Sequence, residues 1–169
     1  MKKNLTLTGM MGVGKSTIGK AVSNQLSMEF SDIDKIIEKK LNLSIKQIFE
    51  KKGEKFFRRL EEEVTLKEIK KKNKVISLGG GAFMNEKIRK YTVLYSKSFW
   101  LDLNTDLIVR RLHNIKKRPL LNNKNIKLTL EKIFKDRKKI YSLANYKIDC
   151  NNLRTNLIVK KITTLYEND

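Results

Sequence analysis

Three features of this 169-residue sequence predict an α/β protein with a parallel sheet covered by helices on both faces. Short apolar runs alternate with stretches that repeat apolar residues every three or four positions. A glycine-rich loop joins the first such run to the first such helix. No internal repeat, low-complexity tract or linker rich in Pro, Gly or Ser interrupts the chain, so residues 1–169 are expected to form one domain.

Residues 4–8, with Leu5 and Leu7 apolar, predict a strand that runs straight into the glycines. Residues 16–26 carry Ile18, Val22 and Leu26 at four-residue steps, the pattern of a helix. A second strand is expected at 30–33 and a helix at 35–41, with Ile36, Ile37 and Leu41 facing inward. Ser44 can cap the next helix, through Ile45, Ile48 and Phe49 to Gly53. From 54 to 72 a long helix sets Phe56, Phe57, Leu60 and Val64 on one face. The apolar run 75–78 reads as a strand stopped by three glycines. Further strands are expected at 92–95, 99–103 and 146–150, and helices at 106–112, 128–143 and 155–166. The polar stretch 114–127 is the longest irregular candidate, and a long loop in a compact domain often covers an active site.

Charge balance is extreme, at +20, which would suit a partner made of phosphates. The lysines are nonetheless scattered over nearly every segment, and runs such as Lys70-Lys71-Lys72 close amphipathic helices where cations suit the dipole. The excess is therefore read as solvated faces rather than a nucleic-acid site. No apolar run approaches the roughly 18 residues of a membrane helix, and no hydrophobic segment follows Met1-Lys2-Lys3, so a cytoplasmic, membrane-free protein is expected. Cys150 is the single cysteine, which excludes an internal disulfide and reads as a small buried residue.

GMMGVGKST, residues 9–17, fits G-x-x-x-x-G-K-[ST] between a strand and a helix. Glycines let consecutive backbone N–H groups curl inward at the positive end of the following helix, which suits a polyphosphate. Lys15 can reach the outer phosphates, and the Ser16 hydroxyl can coordinate Mg²⁺. Guanine specificity would call for N-K-x-D, but Asn73-Lys74 is followed by Val75-Ile76, so a GTPase is excluded. A motor ATPase would need a strand ending in acidic residues, whereas 75–78 ends in Gly79-Gly80-Gly81.

Asp32 and Asp34 stand two residues apart, which in extended chain points both carboxylates to one side. One pair could serve a metal and a hydroxyl; equally, Asp34 could cap the next helix while Asp32 meets solvent. Arg58, with Glu61 and Glu62 one turn on, could be a surface ion pair or a braced guanidinium gripping a substrate carboxylate through two parallel hydrogen bonds. Arginine is scarce, with eight against thirty lysines, which draws attention to where each one lies.

GMMGVGKST, FSDIDKIIE, SIKQIFEKKGEKFFRRLEE, SLGGGA, RRLHNIKKRPLL and DRKKIYSLANYKID together, in this order and spacing from about Leu5 to Arg154, resemble the shikimate kinases. The resemblance implies a P-loop kinase of the nucleoside monophosphate kinase type. Its sheet would have five parallel strands in the order 2-3-1-4-5, with an acceptor-binding region at about 32–62 and a lid at about 113–126. It also implies ATP and Mg²⁺ as cofactors, shikimate as the small-molecule substrate, aromatic amino-acid biosynthesis as the setting and a monomeric enzyme. Carried over by position, Gly12, Val13, Gly14, Lys15, Ser16 and Thr17 would cradle the phosphates, and Ser16 with Asp32 would hold the metal. Asp34, Arg58, Gly80 and Arg137 match the shikimate-binding positions. Arg118 matches the lid arginine that reaches ATP; Arg154 and, more weakly, Arg111 match contacts around the adenine. Lys15, Asp34 and Arg118 are thus the expected catalytic residues. Asn42 departs from the pattern, standing where the family commonly has glycine, a position of positive φ that Asn can also occupy.

Overall fold

The computed structural model describes residues 3–112 and 125–168. Five parallel strands form one sheet: β1 (Asn4–Thr8), β2 (Glu29–Asp32), β3 (Lys74–Ser77), β4 (Ser96–Asp102) and β5 (Tyr146–Asp149), in the order β2-β3-β1-β4-β5. This is the expected architecture and strand order. Helices α1 (Lys15–Gln25), α2 (Ile33–Leu41), α3 (Ile45–Ile69), α4 (Glu86–Tyr95), α5 (Thr105–Arg111), α6 (Ile126–Tyr141) and α7 (Thr155–Glu167) fill the connections. None of the described helices is long and apolar enough to cross a membrane.

β1 is central because it is buried on both faces. Leu5 and Leu7 supply apolar packing on one side; Asn4, Thr6 and Thr8 face the other, where hydrogen bonds offset the lost hydration of Asn4 and Thr6 but leave the buried Thr8 hydroxyl without a partner among the described residues. Thr6 Oγ1 donates to Ser96 Oγ at 2.8 Å. Asn4 Nδ2 donates to the carbonyls of Ile69 and Lys71, while its Oδ1 accepts from Lys74 N–H, so one side chain ties the end of α3 to the start of β3. From β1 the chain leaves through α1 toward β2 on one side, whereas β3 leads through α4 to β4 on the other. This switch point, outside the carboxyl ends of the strands, is where open α/β sheets bind ligands.

Local signals set the ends of α2 and α3. Ser44 and Gln47 form a reciprocal capping box at the start of α3. Gly53 breaks that helix with φ 79° and ψ 166°, separating a short first part from the long second part whose Phe57, Leu60 and Val64 are buried. Asn42 ends α2 in the left-handed region at φ 51° and ψ 38°, as its place in the sequence pattern requires.

The expected strand at 92–95 is instead the last turn of α4. Tyr91 to Tyr95 has the β-branched and aromatic composition of a strand, but tertiary context overrides it. Asn85 caps the helix by accepting from Lys87 and Ile88 N–H. Ile88 and Thr92 then share its buried face, and the Thr92 hydroxyl donates back to the Ile88 carbonyl. Val93 and Leu94 are more than half exposed. β4 begins directly after this turn, three residues before the expected start at 99.

Cys150 is buried at the end of β5, and burial pushes its thiol up to about 12, with Asp149 adding to the rise. Such a thiol is unreactive.

Asn42→Ala should destabilise the protein by about 1 kcal/mol, because alanine keeps the Cβ that crowds the following carbonyl in the left-handed region but lacks the side-chain amide whose local hydrogen bonding lets asparagine occupy it. For a chain of this size that lowers the thermal midpoint by roughly 2–4 °C. Asn42→Gly should stay near wild type. Equal losses in calorimetry for both variants would remove the backbone explanation.

Candidate active site

The loop between β1 and α1 opens toward the switch point. Gly9, Gly12 and Gly14 all have positive φ, and Gly14, at φ 98° and ψ 21°, is the N-cap of α1. A glycine cap offers no side chain, and none caps this end, so the first-turn N–H groups of α1 are directed at whatever sits above them. Lys15 is buried, and its Nζ donates to the carbonyls of Gly9 and Met10, both at 2.9 Å. The ammonium thus rests on its own loop.

Asp32 does two things at the end of β2. Oδ1 accepts from Lys35 N–H as the N-cap of α2, and Oδ2 accepts from Ser16 Oγ at 2.5 Å. The expected alternative, Asp34 as cap and Asp32 in solvent, has the two residues reversed. The extended chain ends at Asp32, since α2 starts at Ile33; the turn into the helix still leaves both carboxylates lining the same cleft over Lys15 and Ser16. Ser16 and Asp32 offer a small hard Mg²⁺ two adjacent oxygens, and that ion commonly takes one or two protein ligands beside phosphate oxygens and water. Among the described residues there is no cluster of three or more His, Cys, Asp or Glu that could hold a metal alone.

A second recess adjoins this cleft. Its walls are Ile45, Phe49 and Phe57, whose two rings lie 4.8 Å apart, and its polar groups are Arg58, Glu61 and Arg137. Met11, Asp34 and Gly80 line both spaces. Asp34 therefore stands at the junction between a phosphate-shaped loop and a recess with two guanidiniums and an apolar wall.

The glycine turn after β3 lets these groups meet. A Cβ on Gly79 would lie 2.4 Å from Glu61 Oε1 and 2.9 Å from Asp34 Oδ1; one on Gly81 would lie 2.7 Å from Arg58 Nη1. Neither residue has a positive φ, so the demand is for space rather than for conformational freedom. Gly80 offers its carbonyl to Arg137 Nη1 at 2.9 Å and to Tyr141 Oη at 2.5 Å.

Arg58 is held by two carboxylates: Nη1 donates to Glu61 Oε2 at 2.7 Å, and Nε and Nη2 donate to Glu54 Oε1. Burial works against the Arg58 charge, but Glu61 and Glu54 outweigh it and raise its pKa. Glu61 is also raised. There burial is the largest influence, Arg58 opposes it, and Asp34 adds to the rise. Its Oε1 is buried without a hydrogen-bond partner. The pair is asymmetric: the guanidinium gains, while the carboxylate does not recover its lost hydration.

The remaining expected residues are spread more widely. Val13 and Thr17 belong to the loop and the first turn of α1, and Thr17 lines the phosphate cleft. Arg111 donates to the Val13 carbonyl at 3.3 Å. Arg154 is the exposed N-cap of α7, and among the described residues no hydrogen bond or ion pair joins it to the loop. Arg118 and most of the expected lid, 113–124, lie outside the described residues. Sequence reasoning missed Tyr141 and Met11, and it assigned Phe49 and Phe57 to the core alone. For Tyr141 a signal existed, since it follows Arg137 by four residues on α6 and so shares its helix face.

Loop, adjacent metal oxygens and acceptor recess define a P-loop phosphotransferase that acts on a small molecule. A family model described as "Shikimate kinase" matches residues 11–167. The chain is 39% identical over 162 residues to the shikimate kinase of Sulfurihydrogenibium sp. (strain YO3AOP1), covering 96% of both chains. It is 43% identical over 154 residues to that of Bacillus subtilis (strain 168), covering 90% of this chain and 82% of the relative. The structure of shikimate kinase from Acinetobacter baumannii in complex with shikimate superposes with a TM-score of 0.95 at 32% identity, over 99% of this chain and 94% of that one. The chain belongs to the shikimate kinase family.

Because the folded protein binds the Glu61 proton more tightly than the unfolded chain does, its stability should fall as pH rises from 4.5 through the raised pKa. Glu61→Gln cannot titrate and lacks this fall. The thermal midpoint of wild type minus that of the variant should therefore decrease between pH 4.5 and neutrality. An increasing difference would mean that the attraction to Arg58 dominates.

Proposed function

We propose that this enzyme transfers the γ-phosphoryl group of ATP to the 3-hydroxyl of shikimate, giving shikimate 3-phosphate and ADP in aromatic amino-acid biosynthesis. The observation that carries the proposal is the position of Asp34, shared by the phosphate cleft and the guanidinium recess. Shikimate is a small ring with one carboxylate and several hydroxyls. Arg58 and Arg137 pair with the carboxylate, the Ile45, Phe49 and Phe57 wall packs on the ring, and the 3-hydroxyl reaches Asp34. Family membership and the shikimate bound to the Acinetobacter baumannii relative support this choice of acceptor.

Phosphoryl transfer is mainly positioning plus charge stabilisation. Asp34 accepts the hydrogen bond of the attacking hydroxyl, aligns its oxygen with the γ-phosphorus and takes the proton as the new O–P bond forms and the bond to the ADP oxygen breaks. The α1 amides and the residues from Gly12 to Thr17 hold the phosphates. Lys15 moves from the Gly9 and Met10 carbonyls to the outer phosphates, and Arg118 adds a charge from the lid. Ser16, with Asp32 behind it, would hold Mg²⁺, which would supply charge neutralisation for the phosphates when bound. Arg154 and Arg111 serve the adenine end. In this reading one chain supplies every group named, and the enzyme works as a monomer in the cytoplasm.

Purified protein with ATP and Mg²⁺ should release ADP with shikimate and not with gluconate, nucleoside monophosphates, RNA or no acceptor, and Lys15→Ala should abolish the release with the fold intact. Stimulation by RNA or by gluconate alone would overturn the assignment.

The two acceptor residues should fail differently. Asp34→Asn should lower kcat by a factor on the order of 10²–10⁴ with little change in the KM of ATP. Arg58→Ala should chiefly raise the KM of shikimate, because a desolvated carboxylate loses its fork of donors. An unchanged KM would leave Arg58 as a structural partner of Glu61.

A further inference from the structure

Tyr141 has no part in the roles described so far, yet it is among the most buried large side chains of the molecule. Its ring stacks on Trp100, with centroids 6.0 Å apart and planes inclined by 24°. This packing holds the hydroxyl in one place, 2.5 Å from the Gly80 carbonyl. Burial raises the phenol pKa, against the opposing pull of Arg137 and Arg58, so the group stays protonated and can donate at neutral pH. Arg137, four residues earlier on α6, is only half buried and donates to the same carbonyl. One acceptor thus has a rigid neutral donor and a longer, charged one.

We infer that Tyr141 is a positioning residue for the acid-binding arginine: by holding the Gly80 carbonyl, it fixes the point from which Arg137 is aimed and keeps that carbonyl paired when Arg137 turns to the substrate. The inference rests on the assignment of Arg137 to the shikimate carboxylate. A carbonyl partly withdrawn from water, as that of Gly80 is, loses free energy when it has no donor, so an arginine that is its sole partner is reluctant to leave. With two donors present, Arg137 can exchange the Gly80 oxygen for a carboxylate while the turn stays fixed by Tyr141. The same contact ties α6, which follows the segment expected to form the lid, to the turn that carries the floor of the acceptor recess.

Tyr141→Phe keeps the ring and its packing and removes only the hydroxyl. Shikimate KM should rise about tenfold, the scale of one lost hydrogen bond, while kcat and the KM of ATP stay within about twofold. Calorimetric binding of shikimate without ATP should weaken by the same factor, and this second measurement needs no turnover. In the Arg137→Ala background, Tyr141→Phe should add little further loss. If both KM values and kcat worsen together, or if the two substitutions multiply in full, Tyr141 acts only as packing and the inference is overturned. If Arg137→Ala raises shikimate KM but Tyr141→Phe does not, the inference alone fails. An unchanged shikimate KM in Arg137→Ala would instead overturn the carboxylate assignment on which it rests.

Discussion

A backbone turn with no side chains governs this site. Between β3 and the short 3₁₀ turn Ala82–Met84, Gly79, Gly80 and Gly81 leave room that methyl groups would fill. Glu61 and Asp34 press against the first, the Met11 backbone lies against the second, and the Arg58 guanidinium covers the third. Arg137 and Tyr141 close on the carbonyl of the middle glycine. Side chains from α2, α3 and α6 therefore converge on a few ångströms of main chain, which no larger residue would allow. Because the turn hangs from a strand beside β1, it stands in register with the phosphate loop that β1 feeds.

Electrostatics inside this cluster are unequal. Arg58 is braced by two carboxylates and gains from both, whereas Glu61 carries the cost of burial and one oxygen without a partner. Keeping such a group suits a site that must hold a cation in fixed orientation more than one optimised for stability, since a braced guanidinium loses less freedom when it meets a planar carboxylate. Asp34 sits at the edge of the same cluster and lines the cleft over Lys15 and Ser16 as well. Two guanidiniums thus stand on one side of this carboxylate and the glycine-rich loop on the other.

Much of this was legible in the sequence because the signals were local. The loop Gly9 to Thr17 carries its own geometry in its glycines, Ser44 announces the start of α3, Gly53 its break and Asn42 the end of α2. Strand alternation with helices sufficed for the sheet, while its order came through the family resemblance. What escaped depended on partners distant in the chain. The segment 92–95 has strand composition, and only the Asn85 cap and the burial of Ile88 with Thr92 make it helical. Spacing alone could not give Asp32 and Asp34 separate tasks; the family resemblance separated them, and the hydrogen bond from Ser16, sixteen residues before Asp32, is the contact that ties the first of them to the loop. Tyr141 shares a helix face with Arg137 by spacing alone, but its contact with Gly80 and the buried side of Glu61 were invisible, because their meaning comes from the Gly79–Gly81 turn, to which no spacing rule connects them.

The hydrogen bonds of Lys15 bear on how an anion gains its ammonium. With its ammonium engaged by two carbonyls of its own loop, the lysine's charge is partly offset by the main chain that carries it. An anion that takes the ammonium must therefore compete with the loop's own carbonyls, and one that presents several oxygens at once competes best.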